Sequence, residues 1–137
     1  QLDRRWNALM KKYILEECHR IALNNIKQKK HPQWDCYKHF SFIIQNGKII
    51  EWGMNRSAEP LIGYPEWGKL HAECDAYFKA KGLLDTSDPF GVINIRMGIN
   101  GNLKISKPCN CCQQFLKRLN CREIWFSTEL GFARLII

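Results

Sequence analysis

At 137 residues, with 45% hydrophobic and 25% charged residues, 9 Gly and 5 Pro, the chain has the composition of one globular domain and not of a disordered polymer. Its 21 basic against 13 acidic residues leave a net charge of +8, which favours anionic partners such as nucleotides, nucleic acids or acidic surfaces. No apolar run approaches the roughly 20 residues that span a bilayer, and the opening Gln1-Leu2-Asp3-Arg4-Arg5-Trp6 lacks the apolar stretch of a signal peptide.

The first element predicted is a long amphipathic helix from Leu2 to about Lys27, because Trp6, Leu9, Met10, Tyr13, Ile14, Ile21 and Ile26 mostly keep helical spacing. After the break at Pro32, Tyr37 to Gln45 and Lys48 to Asn55 read as antiparallel strands, joined by Asn46-Gly47, a strong hairpin signal. Arg56 to Lys69, with two Pro, two Gly and little periodicity, reads as a long loop leading to His71. His71 to Leu83 is expected to be helical and to end near Gly82, and Phe90 to Ile99 to be a buried strand. A turn at Asn100-Gly101-Asn102 precedes a second helix over Cys109 to Leu119, opened by Pro108. Glu123 to Ser127 should form a strand parallel to its predecessor, and Phe132 to Ile137 an edge strand added by a hairpin. Helices covering a five-stranded mixed sheet are the α/β architecture expected of residues 1–137, taken as a single domain.

Chemistry concentrates where the two middle helices begin, at His71-Ala72-Glu73 and at Pro108-Cys109-Asn110-Cys111-Cys112. The chain has seven cysteines, an odd number, and their crowding at 109–112 points to metal ligation in a reducing, cytoplasmic setting more than to a disulfide framework. Cys109 and Cys112, three positions apart in a first helical turn, face the same way, while Cys111 is rotated off. With the His71 nitrogen they make three ligands for one Zn²⁺ and leave a fourth tetrahedral position open, as catalytic zinc sites do. The helix amino terminus is expected to lower the pKa of both thiols. Glu73, two residues from the ligand, is poised to take a proton from a zinc-activated water and pass it on, as base and then acid.

His-x-Glu followed by Pro-Cys-x-x-Cys resembles the signature of the cytidine deaminase superfamily, a pattern described generally for zinc deaminases. The resemblance rests on His71, Glu73, Pro108, Cys109 and Cys112, and the order of helices and strands extends it over nearly the whole chain. It implies a three-layer α/β/α fold, hydrolytic removal of an amino group from a nucleobase, and backbone groups near Ala72 and Pro108 that help to position the base. Gly53-Met54-Asn55 resembles the family's strand-end Gly-x-Asn, which makes Asn55 a substrate-binding candidate, and Phe40 is a second candidate as an aromatic ring flanking the substrate. The segment from Cys109 to Leu116 looks more like the cytidine branch than the tRNA adenosine branch. Against that, Ser57 stands where free-cytidine enzymes carry a ribose-binding carboxylate, and Trp52-Gly53-Met54-Asn55-Arg56 is similar to the tRNA adenosine deaminases.

Three functions are therefore carried forward. The first is deamination of a cytosine nucleoside or nucleotide; the second acts on cytosine or adenine in single-stranded DNA or RNA; the third is a zinc-stabilised binding domain without catalysis. Many relatives assemble from several copies, so the resemblance leaves room for a homo-oligomer. His19, His31 and His39 lack partner spacing and receive no role. Among the tryptophans, Trp34 and Trp67 are the candidates for stacking on bases.

Overall fold

A computed structural model describes residues 4–28, 37–55, 71–98 and 100–137, with the side chains of residues 4–11, 27, 28 and 37 left aside. In chain order the elements are α1 (Arg4–Gln28), β1 (Tyr37–Gln45), β2 (Lys48–Met54), α2 (Ala72–Ala80), β3 (Phe90–Gly98), β4 (Leu103–Lys104), α3 (Asn110–Arg118), β5 (Cys121–Thr128) and β6 (Gly131–Ile136). The strands form one mixed sheet in the order β2-β1-β3-β5-β6, with β4 paired to β3 off that path. Only β3 and β5 run parallel, Val92 beside Ile124 and Ile93 beside Trp125; the other pairs are antiparallel. The five-stranded expectation thus holds for the continuous sheet, and the addition is β4, two residues too short to leave a sequence pattern.

Period-two alternation divides the core between the two faces of the sheet. Phe40, Phe42, Ile93, Ile95 and Met97 point to one face, where Cys18 and Ala22 of α1 close over them, with Ile14, Ile21 and Ile26 alongside. Tyr13, expected in that stripe, is 65% exposed, because Cys18 and Ala22 occupy the buried side of the helix. Ile43, Val92 and Ile124 point to the other face and meet Cys74, Ala76 and Ala80 of α2 and Cys112, Phe115 and Leu116 of α3. The result is a three-layer α/β/α arrangement with α1 on one side and α2 and α3 on the other.

The turns follow their residue chemistry. Asn46 and Gly47 both take positive φ, 52° and 74°, the pairing that suits a two-residue hairpin between right-twisted strands. Thr128 and Gly131 close the β5–β6 hairpin as the register pair next to the turn. Both middle helices are shorter than their apolar patterns suggested: α2 stops at Ala80, and residues 81–83 continue as turn. Among the described residues no helix is long and apolar enough to cross a membrane. The loop expected over 56–69, with Ser57 and Trp67, and also His31 and Trp34, lie outside the described residues.

Candidate active site

Two helix starts meet at one end of the sheet. His71 occupies the N-cap of α2 in an extended conformation, and its carbonyl accepts the Asp75 amide at 3.0 Å. Cys109 occupies the N-cap of α3, where its Sγ accepts the Cys112 amide at 3.5 Å and its carbonyl accepts the Gln113 amide at 3.0 Å. The second half-motif is therefore one cap residue and one first-turn residue, and both sulfurs turn toward α2.

His71 Nδ1 lies 3.2 Å from Cys112 Sγ and 3.8 Å from Cys109 Sγ, and the three donor atoms all fall within 4.8 Å of one another. A tetrahedral Zn²⁺ with Zn–S near 2.3 Å and Zn–N near 2.0–2.1 Å separates its N and S donors by roughly 3.6 Å and its two S donors by roughly 3.8 Å. The observed nitrogen–sulfur spacings bracket the first value, and two soft sulfurs with one imidazole suit zinc. Cys111 does not join the group, as its rotation on the helix predicted. Cys74 is fully buried in the core shared with Cys112 and likewise stays outside the group.

The expected lowering of the Cys112 thiol is outweighed by its other surroundings. A hydrogen bond with Cys74, then burial, then the negative charge of Glu73 and the neighbouring thiols push it far above the usual range. A metal ion must therefore displace a tightly held proton there, so loading releases protons.

Glu73 is only 2% exposed and sits in the first turn of α2, where a carboxylate complements the positive end of the helix. Its charge reaches both Cys112 and His39. The geometry brings one group able to hold a metal ion beside a buried carboxylate.

Two devices that no motif signalled hold the halves in place. Asp75, 2% exposed, accepts the Met54 amide at 3.1 Å and pairs with Lys79 at 3.2 Å, which ties the first turn of α2 to the end of β2. Gly53 makes this approach possible, since a Cβ there would lie 2.5 Å from the Ala76 nitrogen and 2.6 Å from Asp75 Oδ2. On the other side, Ser106 Oγ donates to the Asn94 carbonyl at 3.0 Å, accepts the Ser127 amide at 2.8 Å and meets Ser127 Oγ at 2.8 Å. Asn94 adds bonds to Ser41 and to the Ser106 carbonyl. This buried network pins the segment that leads to Pro108 and Cys109 onto β3 and β5.

The expected substrate contacts fare unequally. Asn55 is exposed at the end of β2; its Oδ1 accepts the His39 amide and its own amide donates to the His39 carbonyl, each at 3.3 Å, so it extends the β1–β2 ladder with its side chain. Ala72 and Pro108 are buried at the two helix starts, and the Pro108 carbonyl accepts Gln113 Nε2 at 2.8 Å. Phe40 is a correction: it is fully buried against α1 with Cys18 and Ala22 and packs 6.2 Å from the Trp52 ring, on the far face of the sheet from the triad. His39, its neighbour, given no role by the sequence, alternates onto the site face. It shares its parity with Ser41, whose hydroxyl is buried.

No family model matches the chain, and no curated relative matches it in sequence. Its structure is similar to a cytidine deaminase from Mycobacterium leprae, with a TM-score of 0.54 at 18% identity over 85% of this chain and 88% of that one. It is also similar to a dCMP deaminase from the cyanophage S-TIM5, with a TM-score of 0.55 at 16% identity over 83% of this chain and 82% of that one. The same phage enzyme in complex with dCMP and dUMP matches with a TM-score of 0.50 at 17% identity. The fold of this chain is the cytidine deaminase-like fold.

Proposed function

We propose that this chain is a zinc-dependent hydrolase that deaminates the cytosine base of a nucleoside or nucleotide to the uracil form with release of ammonia. The observation that carries this reading is the convergence of His71, Cys109 and Cys112 beside the buried Glu73, within a fold shared with cytidine and dCMP deaminases. His71 Nδ1 and the two Sγ atoms would hold the ion. When bound, it supplies Lewis acidity and brings the pKa of a water to about 7.

Glu73 does the remaining work. Its carboxylate would take a proton from the water that adds to C4 of the base and give it to the ring nitrogen N3, then carry the remaining hydroxyl proton from the oxygen on C4 to the exocyclic nitrogen. The C4–N bond then breaks, ammonia leaves and C4 keeps the oxygen as a carbonyl. Burial suits the carboxylate for this role, because a site closed to bulk water strengthens each of its electrostatic contacts. The clamp from Asp75 to Met54 and the Ser106 network hold the two helix starts at a fixed separation, so the reacting groups meet without rearrangement.

The test is mass-spectrometric analysis of zinc-loaded protein with cytidine, deoxycytidine, dCMP, and single-stranded DNA and RNA. Glu73→Gln should keep its zinc and lose roughly 10²–10⁴-fold in rate, the usual worth of a positioned acid–base group. Unchanged turnover in that variant would remove Glu73 from the reaction. The net charge of +8 favours a second reading, in which the base belongs to a single strand. Affinity for a strand that falls steeply with salt, together with no turnover of the small substrates, would establish it.

A further inference from the structure

We propose that the outer edge of β6 is a self-association surface, on which a second copy of this chain adds its own β6 in antiparallel fashion and joins the two sheets into one. The surface does not involve the triad and is independent of the reaction proposed above.

The ladder fixes which backbone groups are free. The Ile137 amide donates to the Arg122 carbonyl at 3.1 Å, a pair that continues the β5–β6 register. Bonded and non-bonded positions alternate along an antiparallel ladder, so Gly131, Ala133 and Leu135 turn their N–H and C=O groups toward β5, whereas Phe132, Arg134 and Ile136 turn theirs outward. Among the described residues no strand pairs with that outer side.

The opposite edge of the sheet shows how an edge is guarded. β2 carries a bulge at Ile50, which the register with β1 skips, and the amides of Trp52 and Met54 are taken by the carboxylates of Glu51 and Asp75 at 3.2 Å and 3.1 Å. Bulges and edge charges are common means by which sheets avoid pairing with other chains. β6 has none of these: its register is unbroken, its sequence Gly131-Phe132-Ala133-Arg134-Leu135-Ile136 holds no proline, and its single charge is held by Glu123 at 2.8 Å.

The strand's own sequence identifies the occupant. Fully exposed Leu130 stands just before β6, and Ile136, 63% exposed, closes it. An antiparallel copy brings opposite ends of the strand together, so each of these side chains meets the other. Only residues with outward backbone groups can form bonded pairs, which restricts the register to steps of two. Arg134 opposite the partner's Arg134 would set like charges face to face. One step away, Phe132 pairs with the partner's Arg134 and Arg134 with the partner's Phe132, Ala133 lies on the two-fold axis, and Leu130 faces the partner's Ile136. Each guanidinium then meets a ring and both exposed apolar side chains leave water; a step in the other direction leaves Leu130 uncovered. The same surface serves both copies, so association closes at a dimer.

Sedimentation equilibrium of the whole, zinc-loaded chain should show monomer and dimer exchanging over roughly 1–100 µM, as suits a small interface. Arg134→Pro removes an outward N–H without touching the β5 ladder, and Ile136→Lys returns a charge to the edge; each should raise the dissociation constant about tenfold or more. Leu83→Lys, at an exposed position outside β6, should leave it unchanged. If the thermal midpoint shows that Arg134→Pro does not fold, Ile136→Lys, a surface change, still decides the question. The register has its own test: adding Leu130→Glu to Ile136→Lys sets opposite charges face to face, and the double variant should recover the dimer that Ile136→Lys loses. A chain that is monomeric at every concentration, a dimer indifferent to both edge variants, or a double variant as weak as Ile136→Lys alone overturns the pairing. A monomeric chain that instead binds an unrelated strand-forming peptide would give the edge a foreign occupant and overturn it as well.

Discussion

The two faces of the sheet use the same strands for opposite purposes. Toward α1, β1 and β3 present Phe40, Phe42, Ile93, Ile95 and Met97, all buried and all apolar. Toward α2 and α3, the alternate residues of the same strands are His39, Ser41, Asn94 and Arg96, grading into Ile43 and Val92 farther from the site. The α1 face is stabilised by area removed from water, which is non-directional; the opposite face has an apolar core of its own around Ile43, Val92 and Ile124 and adds directional bonds among Asn94, Ser106 and Ser127 near the helix starts. The lesson is that the two-residue period of a strand lets a three-layer fold keep one face of β1 and β3 wholly apolar and set polar groups at one end of the other. Substitutions on the α1 face should therefore lower stability and spare the metal site, whereas those at the helix starts on the opposite face should disturb the metal site directly.

The largest effect that separates the faces is expected at Cys112. Cys112→Ala removes a donor from the triad, so zinc affinity measured by competition with a chromogenic chelator should fall by more than about 100-fold, past what the loss of an outer-shell partner costs. Retained zinc at parental affinity would dissolve the proposed site. Phe42→Ala on the α1 face is the mirror case. A fully buried phenyl ring should cost about 3–5 kcal/mol in urea unfolding, while the folded fraction keeps its zinc affinity. A large loss of zinc in folded Phe42→Ala protein would show that the faces are coupled.

A smaller effect should sharpen the division at Gly53, where the chemical face depends on packing. An added methyl meets the Ala76 backbone at 2.5 Å, and backbone cannot swing aside as a side-chain tip can. Gly53→Ala should destabilise by about 1–3 kcal/mol and push the first turn of α2, with His71 and Glu73, away from β2. Zinc affinity and thermal midpoint should drop together there, unlike at either Cys112 or Phe42.

What the sequence revealed follows the same division. The His71, Cys109 and Cys112 cluster was legible because its members carry donor atoms at spacings that suit a shared ion, and Glu73 because it stands two residues from His71. Element order was legible from periodicity and from Asn46-Gly47, whose positive φ angles the structure reproduces. The faces of β1 were not. Residues 40–43 are buried on both sides, so the run Phe40-Ser41-Phe42-Ile43 has no solvent side to tell an observer which parity meets the substrate. That ambiguity leaves the sequence unable to show that Phe40 lies in the α1 core. Asp75 was missed for another reason: a carboxylate in a first turn satisfies the helix terminus by itself, and its bond to Met54 joins residues 21 positions apart.

The smallest predicted effect concerns His39 and acid. Burial holds its imidazole below the ordinary histidine value of 6.5, so the unfolded chain takes up a proton that the folded chain resists. Above about pH 6.5 both states are neutral at this ring, and it contributes no pH dependence. As the pH falls below that value the unfolded state gains stability from protonation first, and the native fold loses ground until the folded ring also protonates. Acid release of zinc from His71 and the two thiols acts in the same direction in any variant that keeps the triad. The share due to His39 is therefore the difference between two curves: urea midpoints against pH for zinc-loaded parent and for His39→Phe. The curves should run parallel above pH 7 and converge or cross below 6.5, with the parent falling faster. Parallel curves throughout would mean that the ring is solvated in solution, and that the face opposite α1 is wetter than its hydrogen-bond network implies.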